Sequence, residues 1–152
     1  MATTWILVAD SARARLFEIQ AVDVLSELRC YANAQRRAGN RGESSDRAPT
    51  VNESVGQARH ALEPHTDARQ KSADVFARSL RDELDHGRTA HHFQRLVLIA
   101  PPRFLGALHA AFDKPLRDTV VAEIRRDFTR MSPNHIRAAL APRLFHGVDA
   151  VR

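Results

Sequence analysis

Cysteine is nearly absent: Cys30 is the only one in 152 residues, so the chain can close no internal disulfide and build no thiolate metal cluster. A reducing cytoplasm is the compartment this implies. Lysine is as scarce, with Lys71 and Lys114 alone against an otherwise arginine-based complement of 23 basic side chains. Aromatic residues make up 6% of the chain, with one Trp and one Tyr, which leaves little surface on which bases could stack. No apolar run approaches the length of a membrane span, and the one from Trp5 to Ala9 is too short for the core of a signal peptide and has no basic residues ahead of it. The expectation is a cytoplasmic protein without membrane insertion.

What the chain does have is charge of one sign. Its formal net charge is +5 and its pI about 10.5, which favours an acidic partner such as RNA or an anionic surface, because clustered cations displace counterions from phosphate. Arginine suits that role through its planar, bidentate fork. A bias in codon composition would produce the same arginine excess with no nucleic-acid partner. With 43% hydrophobic residues, one core of ordinary size is affordable, so residues 1–152 are expected to form a single domain. Periodicity lapses between Asn33 and His65, where Arg, Gly, Ser, Asn and Glu dominate. A polar loop of roughly thirty residues is uncommon inside a compact domain and is usually functional.

Trp5 to Ala9 reads as a strand buried on both faces. Asp10-Ser11-Ala12 breaks it, and Arg13 to Ile19 follows as an antiparallel neighbour. Val24 to Tyr31 reads as a third strand, with Val24, Leu28 and Cys30 on one face and Glu27 and Arg29 on the other. After the loop, Thr66 or Asp67 can cap a helix with the stripe Ala73, Phe76, Ala77, Leu80 and Leu84, stopping at Gly87. Leu96 to Ile99 is a buried strand. Pro101-Pro102 ends it and opens a helix through Phe104, Leu105, Leu108 and Phe112 that should end near Pro115. Asp118 to Arg126 alternates as a strand with Val120, Ala122 and Ile124 on one face. Ser132-Pro133 then starts a last helix carrying Ile136, Ala139 and Leu140, which Pro142 should kink or end. The order β-β-β-α-β-α-β-α predicts an α/β fold: a mixed five-stranded sheet with helices on its faces, of ribonuclease H-like arrangement.

Three motifs go beyond element order. Phe76-Ala77, the run Leu96-Val97-Leu98-Ile99-Ala100-Pro101-Pro102-Arg103-Phe104-Leu105-Gly106, and Val121-Ala122-Glu123-Ile124-Arg125-Arg126-Asp127-Phe128-Thr129 resemble the bacterial host attachment protein family (protein required for attachment to host cells). Gly56-Gln57-Ala58-Arg59-His60 in the loop resembles it too. That family is remotely similar to the middle domain of archaeal and eukaryotic class-1 peptide-release factors and of Pelota. The resemblance implies a ribonuclease H-like, release-factor middle-domain-like fold, with the loop at 33–65 standing where release factors carry a Gly-Gly-Gln tripeptide that promotes ester hydrolysis. Here Val55-Gly56-Gln57 lacks the first glycine, and Asn40-Arg41-Gly42-Glu43 lacks the second glycine and the glutamine.

Candidate chemistry is sparse. A ribonuclease H-like nuclease needs carboxylates converging on Mg²⁺. Asp10, Asp82, Glu83 and Asp85 are available, but the fourth strand ends in Ala100-Pro101 without an acid, and Asp10 suits a turn instead. The pairs His60 with His65 and His91 with His92 match no zinc spacing; no metal and no cofactor are expected. Arg125 and Arg126 would point to opposite faces of a regular strand.

Three functions follow. The first is a non-catalytic RNA- or ribosome-binding module, with tRNA or rRNA as partner, acting through Arg36, Arg37, Arg41, Arg47, Gly56, Gln57, Arg59 and His60. The second is a protein-interaction or regulatory module that affects attachment indirectly, in which an exposed sheet edge could also support a homo-oligomer. The third is a hydrolase acting through Gln57 or His60.

Overall fold

The computed structural model describes residues 2–19, 24–35 and 58–140, with the backbone alone for residues 58–66. In chain order the elements are β1 (Thr4–Ala9), β2 (Arg13–Ile19), β3 (Leu25–Ala32), α1 (Ala58–Thr89), β4 (Arg95–Ile99), α2 (Pro102–Ala111), α3 (Lys114–Arg117), β5 (Val120–Ile124) and α4 (Pro133–Leu140). The strands form one sheet in the order β3-β2-β1-β4-β5. β2 is antiparallel to both β1 and β3, whereas β4 is parallel to both β1 and β5. This is the expected α/β fold with a mixed five-stranded sheet.

The apolar runs of β1 and β4 are continuous because both strands are central and covered on both sides. Alternation sends Trp5, Leu7, Ala9, Leu96 and Leu98 to one face, where they meet Phe76, Leu80 and Leu84 of α1, Leu105 and Leu108 of α2, and Leu116 of α3. Ile6, Val8, Val97 and Ile99 face the other way and pack with Ile136 and Leu140 of α4. Helices therefore cover both faces. Ser132 caps α4 as expected, its Oγ accepting from His135 N at 3.2 Å, and Pro133 occupies the first turn, where its missing N–H costs nothing. Pro142 lies outside the described residues.

Five expectations need correction. The first helix starts at Ala58, not at a cap on Thr66 or Asp67, so the last part of the expected loop is helical. Pro64 is the seventh residue of that helix, past its first turn, and has no N–H to donate to the carbonyl of residue 60. That helix also passes Gly87 and ends at Thr89, and His91 supplies the left-handed residue with φ 60°. His92 N donates to Gly87 O at 2.8 Å and His91 N to Arg88 O at 3.0 Å, which is the hydrogen-bond pair of a Schellman motif.

Between Phe112 and β5 lies α3, which the sequence reading did not anticipate. Asp113 caps it by accepting from Leu116 N, and Pro115 sits in its first turn instead of ending α2. The remaining two corrections are irregularities of register. Leu16 pairs Arg29 and Phe17 pairs Glu27, leaving Leu28 as the extra residue of a bulge. Glu27 and Arg29 therefore lie on opposite faces, not together. Leu96 pairs Val120 while Val97 pairs Ala122. Val121 is the extra residue there, 49% exposed, and Val120 packs on the opposite side of the sheet from Ala122 and Ile124.

Candidate nucleic-acid interface

β3 runs in the same direction as β1, because each is antiparallel to β2, and β4 and β5 share that direction. Four strands thus end at one edge of the sheet. The turn at Asp10, the exit of β3 at Asn33, Pro101 and Arg125 gather there, together with the N-terminal half of α1 and the start of α2. Residue 35 leaves the described structure from this edge. In open α/β sheets the carboxyl ends of parallel strands are where ligands are usually held.

Asp10 shapes the floor of the edge. Its Oδ1 accepts from Ala12 N and Arg13 N, each at 2.8 Å, an Asx turn of the kind its sequence context predicts. Thr129 Oγ1, buried after β5, lies 3.2 Å from Asp10 Oδ2 and 2.5 Å from Asp127 Oδ1, so its one proton is shared between the carboxylates. Asn33 is 3% exposed. Its backbone N donates to Ala12 O at 2.9 Å, and its Nδ2 reaches Ser11 O at 2.8 Å and Ser72 Oγ at 3.0 Å. One side chain thereby ties the end of β3 to the β1–β2 turn and to α1.

A cleft of about 280 Å³ opens at this edge, lined by Asp10, Ser11, Arg69, Gln70, Ala73, Pro101, Arg103 and Phe104. α1 presents Arg69 from a stretch, Asp67 to Lys71, that is exposed before burial begins at Ala73. α2 presents Arg103. Pro101 offers α2 no side-chain cap, and the N–H groups of Arg103 and Phe104 belong to its uncapped first turn. Among the described residues neither Arg69 nor Arg103 has an ion-pair partner, and no side-chain hydrogen bond is formed by either. Arg125, Arg126 and Arg130 are exposed in the segment that follows β5. Ala100 N donates to Ile124 O at 3.0 Å, so the end of β5 lies against the start of the Pro101-Pro102 segment.

Arg15 is different in kind. Its Nε and Nη2 make a bidentate pair with Glu27 at 2.9 and 3.0 Å, and its Nη1 donates to Thr129 O and Met131 O. The guanidinium also lies 5.0 Å above the Phe17 ring. The hydrogen bonds with Glu27 raise the Arg15 pKa and lower that of Glu27. Cys30 Sγ donates to Glu27 Oε2 at 3.0 Å, and that carboxylate pushes the thiol pKa up. This network joins β2, β3 and the segment before α4, so Arg15 is structural.

Of the residues singled out from sequence, Arg36, Arg37, Arg41, Arg47, Gly56 and Gln57 lie outside the described residues. Arg59 and His60 fall in the first turn of α1, where the backbone alone is described. Arg69 and Arg103 were not singled out, although an arginine directly after the Pro-Pro that opens a helix was a usable signal for Arg103. Asp82, Glu83 and Asp85 stand toward the far end of α1 from Asp10. Glu83 Oε1 accepts from Arg29 Nη1 at 3.2 Å and Tyr31 OH at 3.4 Å, and Asp85 pairs with Arg88 at 2.9 Å. His91 and His92 are exposed at the end of α1. Among the described residues no three His, Cys, Asp or Glu side chains are grouped to hold a metal ion, and no helix is long and apolar enough to cross a membrane.

Residues 5–140 match the family model described as protein required for attachment to host cells. No curated protein matches the chain.

Proposed function

The chain belongs to the family of proteins required for attachment to host cells, and we propose that it acts in the cytoplasm as a non-catalytic RNA- or ribosome-binding module, related to the middle domain of class-1 release factors and to their ribonuclease H-like fold. The observation that carries this reading is the convergence of arginines. Arg69, Arg103, Arg125, Arg126 and Arg130 are far apart in sequence yet share the edge from which the arginine-rich stretch 36–57 departs. Carboxylates at that edge are largely engaged: Asp10 in its turn, Asp127 with Thr129, and Asp74 accepting from Gln70 at 3.0 Å. Phosphate backbones bind such surfaces by counterion release. Arg36, Arg37, Arg41, Arg47, Gly56, Gln57, Arg59 and His60 would extend the surface with further phosphate-binding groups.

The test is sedimentation of lysate through sucrose at low and high salt, following the tagged protein and two variants. One replaces Arg36, Arg37, Arg41 and Arg59 with alanine, the other Arg125, Arg126 and Arg130. Co-migration with ribosomal particles that salt disrupts and either variant weakens is the expected result. Protein that stays at the top of the gradient in every condition overturns the reading. Turnover of an aminoacyl or phosphoester substrate, abolished by Gln57→Ala or His60→Ala, would replace it with a hydrolytic one.

One observation favours a second reading, a protein-interaction or regulatory module. β3 is an edge strand, and Val24 just before it and Leu28 within it are exposed at 48% and 38%. Exposed edges with apolar side chains pair readily with other chains. A complex that persists in high salt and ignores ribonuclease would mark this second function.

A further inference from the structure

Several arginines elsewhere on α1 and after α2 are engaged. Arg81 pairs with Asp82 at 2.9 Å and reaches Ala111 O at 3.3 Å, Arg88 pairs with Asp85, and Arg117 Nη1 donates to Phe112 O at 3.1 Å. Arg69 and Arg103, like Arg78 of α1, have no such partner among the described residues, and these two come from different helices to line one cleft. Two unpaired guanidinium groups across a concave surface repel each other unless an anion lies between them. The planar fork of arginine matches the oxygens of a phosphate group.

Size and charge narrow the anion further. About 280 Å³ is at the small end of ligand pockets, room for one phosphate and its adjoining sugar. Ala73, Pro101 and Phe104 give the cleft an apolar wall against which a ribose can lie. Asp10 also lines it, so two arginines and one carboxylate sum to a single positive charge. That balances an internal phosphodiester, which carries one negative charge, better than a terminal phosphate, which carries about 1.5 to 2 at neutral pH.

We propose that Arg69 and Arg103 grip one internal phosphodiester of a single-stranded RNA in the cleft between the Asp10 turn and the start of α2. For RNA as the source of that diester, the inference rests on the function proposed above. The minimal ligand is any monoanionic phosphodiester.

Two measurements test it. In the first, a 5′-hydroxyl oligoribonucleotide is titrated against wild type, Arg69→Ala, Arg103→Ala and the remote charge control Arg29→Ala. Each cleft variant should bind roughly tenfold more weakly and lower the slope of log K against log salt by about one, while Arg29→Ala leaves both unchanged. Wild-type affinity and slope in both cleft variants would overturn the cleft assignment even if RNA binding itself holds. Tighter binding of a 5′-phosphorylated oligonucleotide, lost in Arg103→Ala, would overturn the diester assignment in favour of a terminal phosphate.

In the second, dimethyl phosphate is titrated into ¹⁵N-labelled protein. It should shift the Arg103 and Phe104 amides of wild type and leave those of the Arg69→Ala, Arg103→Ala double variant in place. Such shifts in a protein that fails to bind RNA would uphold the cleft and sink the RNA reading. Absence of shifts in wild type would sink the cleft.

Discussion

The Trp5 indole occupies the space where a side chain on Gly87 would begin: a Cβ there would lie 2.6 Å from both Cη2 and Cζ3 of Trp5 and 3.2 Å from Cε1 of Phe93. Trp5 stacks on Phe93 with ring centroids 4.6 Å apart, so it cannot retreat without breaking that contact. The glycine inside α1 is therefore a packing requirement of β1, and it does not end the helix.

Gly87→Ala should destabilise the fold despite alanine's better helix propensity. The propensity gain is about 1 kcal/mol, whereas overpacking a fixed ring costs about 1–3 kcal/mol. A net loss of ~1 kcal/mol in urea unfolding is expected, reduced when Trp5→Phe is combined with it. A more stable Gly87→Ala protein would show that the indole moves freely.

His91→Gly should stabilise. His91 holds φ 60° at the end of α1, a conformation that costs a residue with a Cβ about 1–2 kcal/mol. Glycine removes that strain and returns part of it, about 0.4–1 kcal/mol, through a freer unfolded chain. The expected gain is ~0.5–1 kcal/mol, read as a higher melting temperature.

Asn33→Ala should be the costliest change at the edge that carries the cleft. It strips the acceptors at Ser11 O and Ser72 of a buried donor, for a loss of about 2 kcal/mol of unfolding free energy, read as a lower urea midpoint. Hydrogen exchange should also quicken at Asn33 and the Asp10–Arg13 turn. Asn33→Asp, similar in size but without the donor, should do no better.

The pH dependence of stability should carry the mark of Glu27. Arg15 lowers its folded pKa beneath the ordinary value of 4.5, so the pair's contribution is complete above that value and declines as pH falls through the lower folded value. The stability gap between wild type and Glu27→Gln should narrow as pH falls from the ordinary value of 4.5 through the lower folded one. At alkaline pH the same substitution should act on Cys30. Removing the carboxylate that accepts from Sγ lowers the thiol pKa, and alkylation by iodoacetamide near pH 8 should run several-fold faster. An unchanged rate would mean that Glu27 does not govern the thiol.

Trp5 to Ala9 and Leu96 to Ile99 are continuous apolar runs, and only a strand covered on both faces needs them, so the two central strands and a mixed sheet could be read directly from the sequence. The stripe from Ala73 to Leu84 and the Ser132-Pro133 cap were legible for the same reason: they depend on neighbours within one turn. The bulges at Leu28 and Val121 were not, because a register irregularity is set by the partner strand, and sequence alternation has no information about it. Gly87 looked like a helix stop because its glycine is explained only by an indole eighty-two positions earlier.

The same division governs the candidate site. The sequence by itself established the arginine excess, the polar stretch and the family resemblance, all of which depend on residue identity and order. Tertiary structure alone decided that Arg69 and Arg103 share a cleft with Asp10 while Arg15 is held by Glu27. The electrostatic role of a charge depends on which opposite charges stand within a few ångströms of it, and those distances are set by how the strands and helices cross.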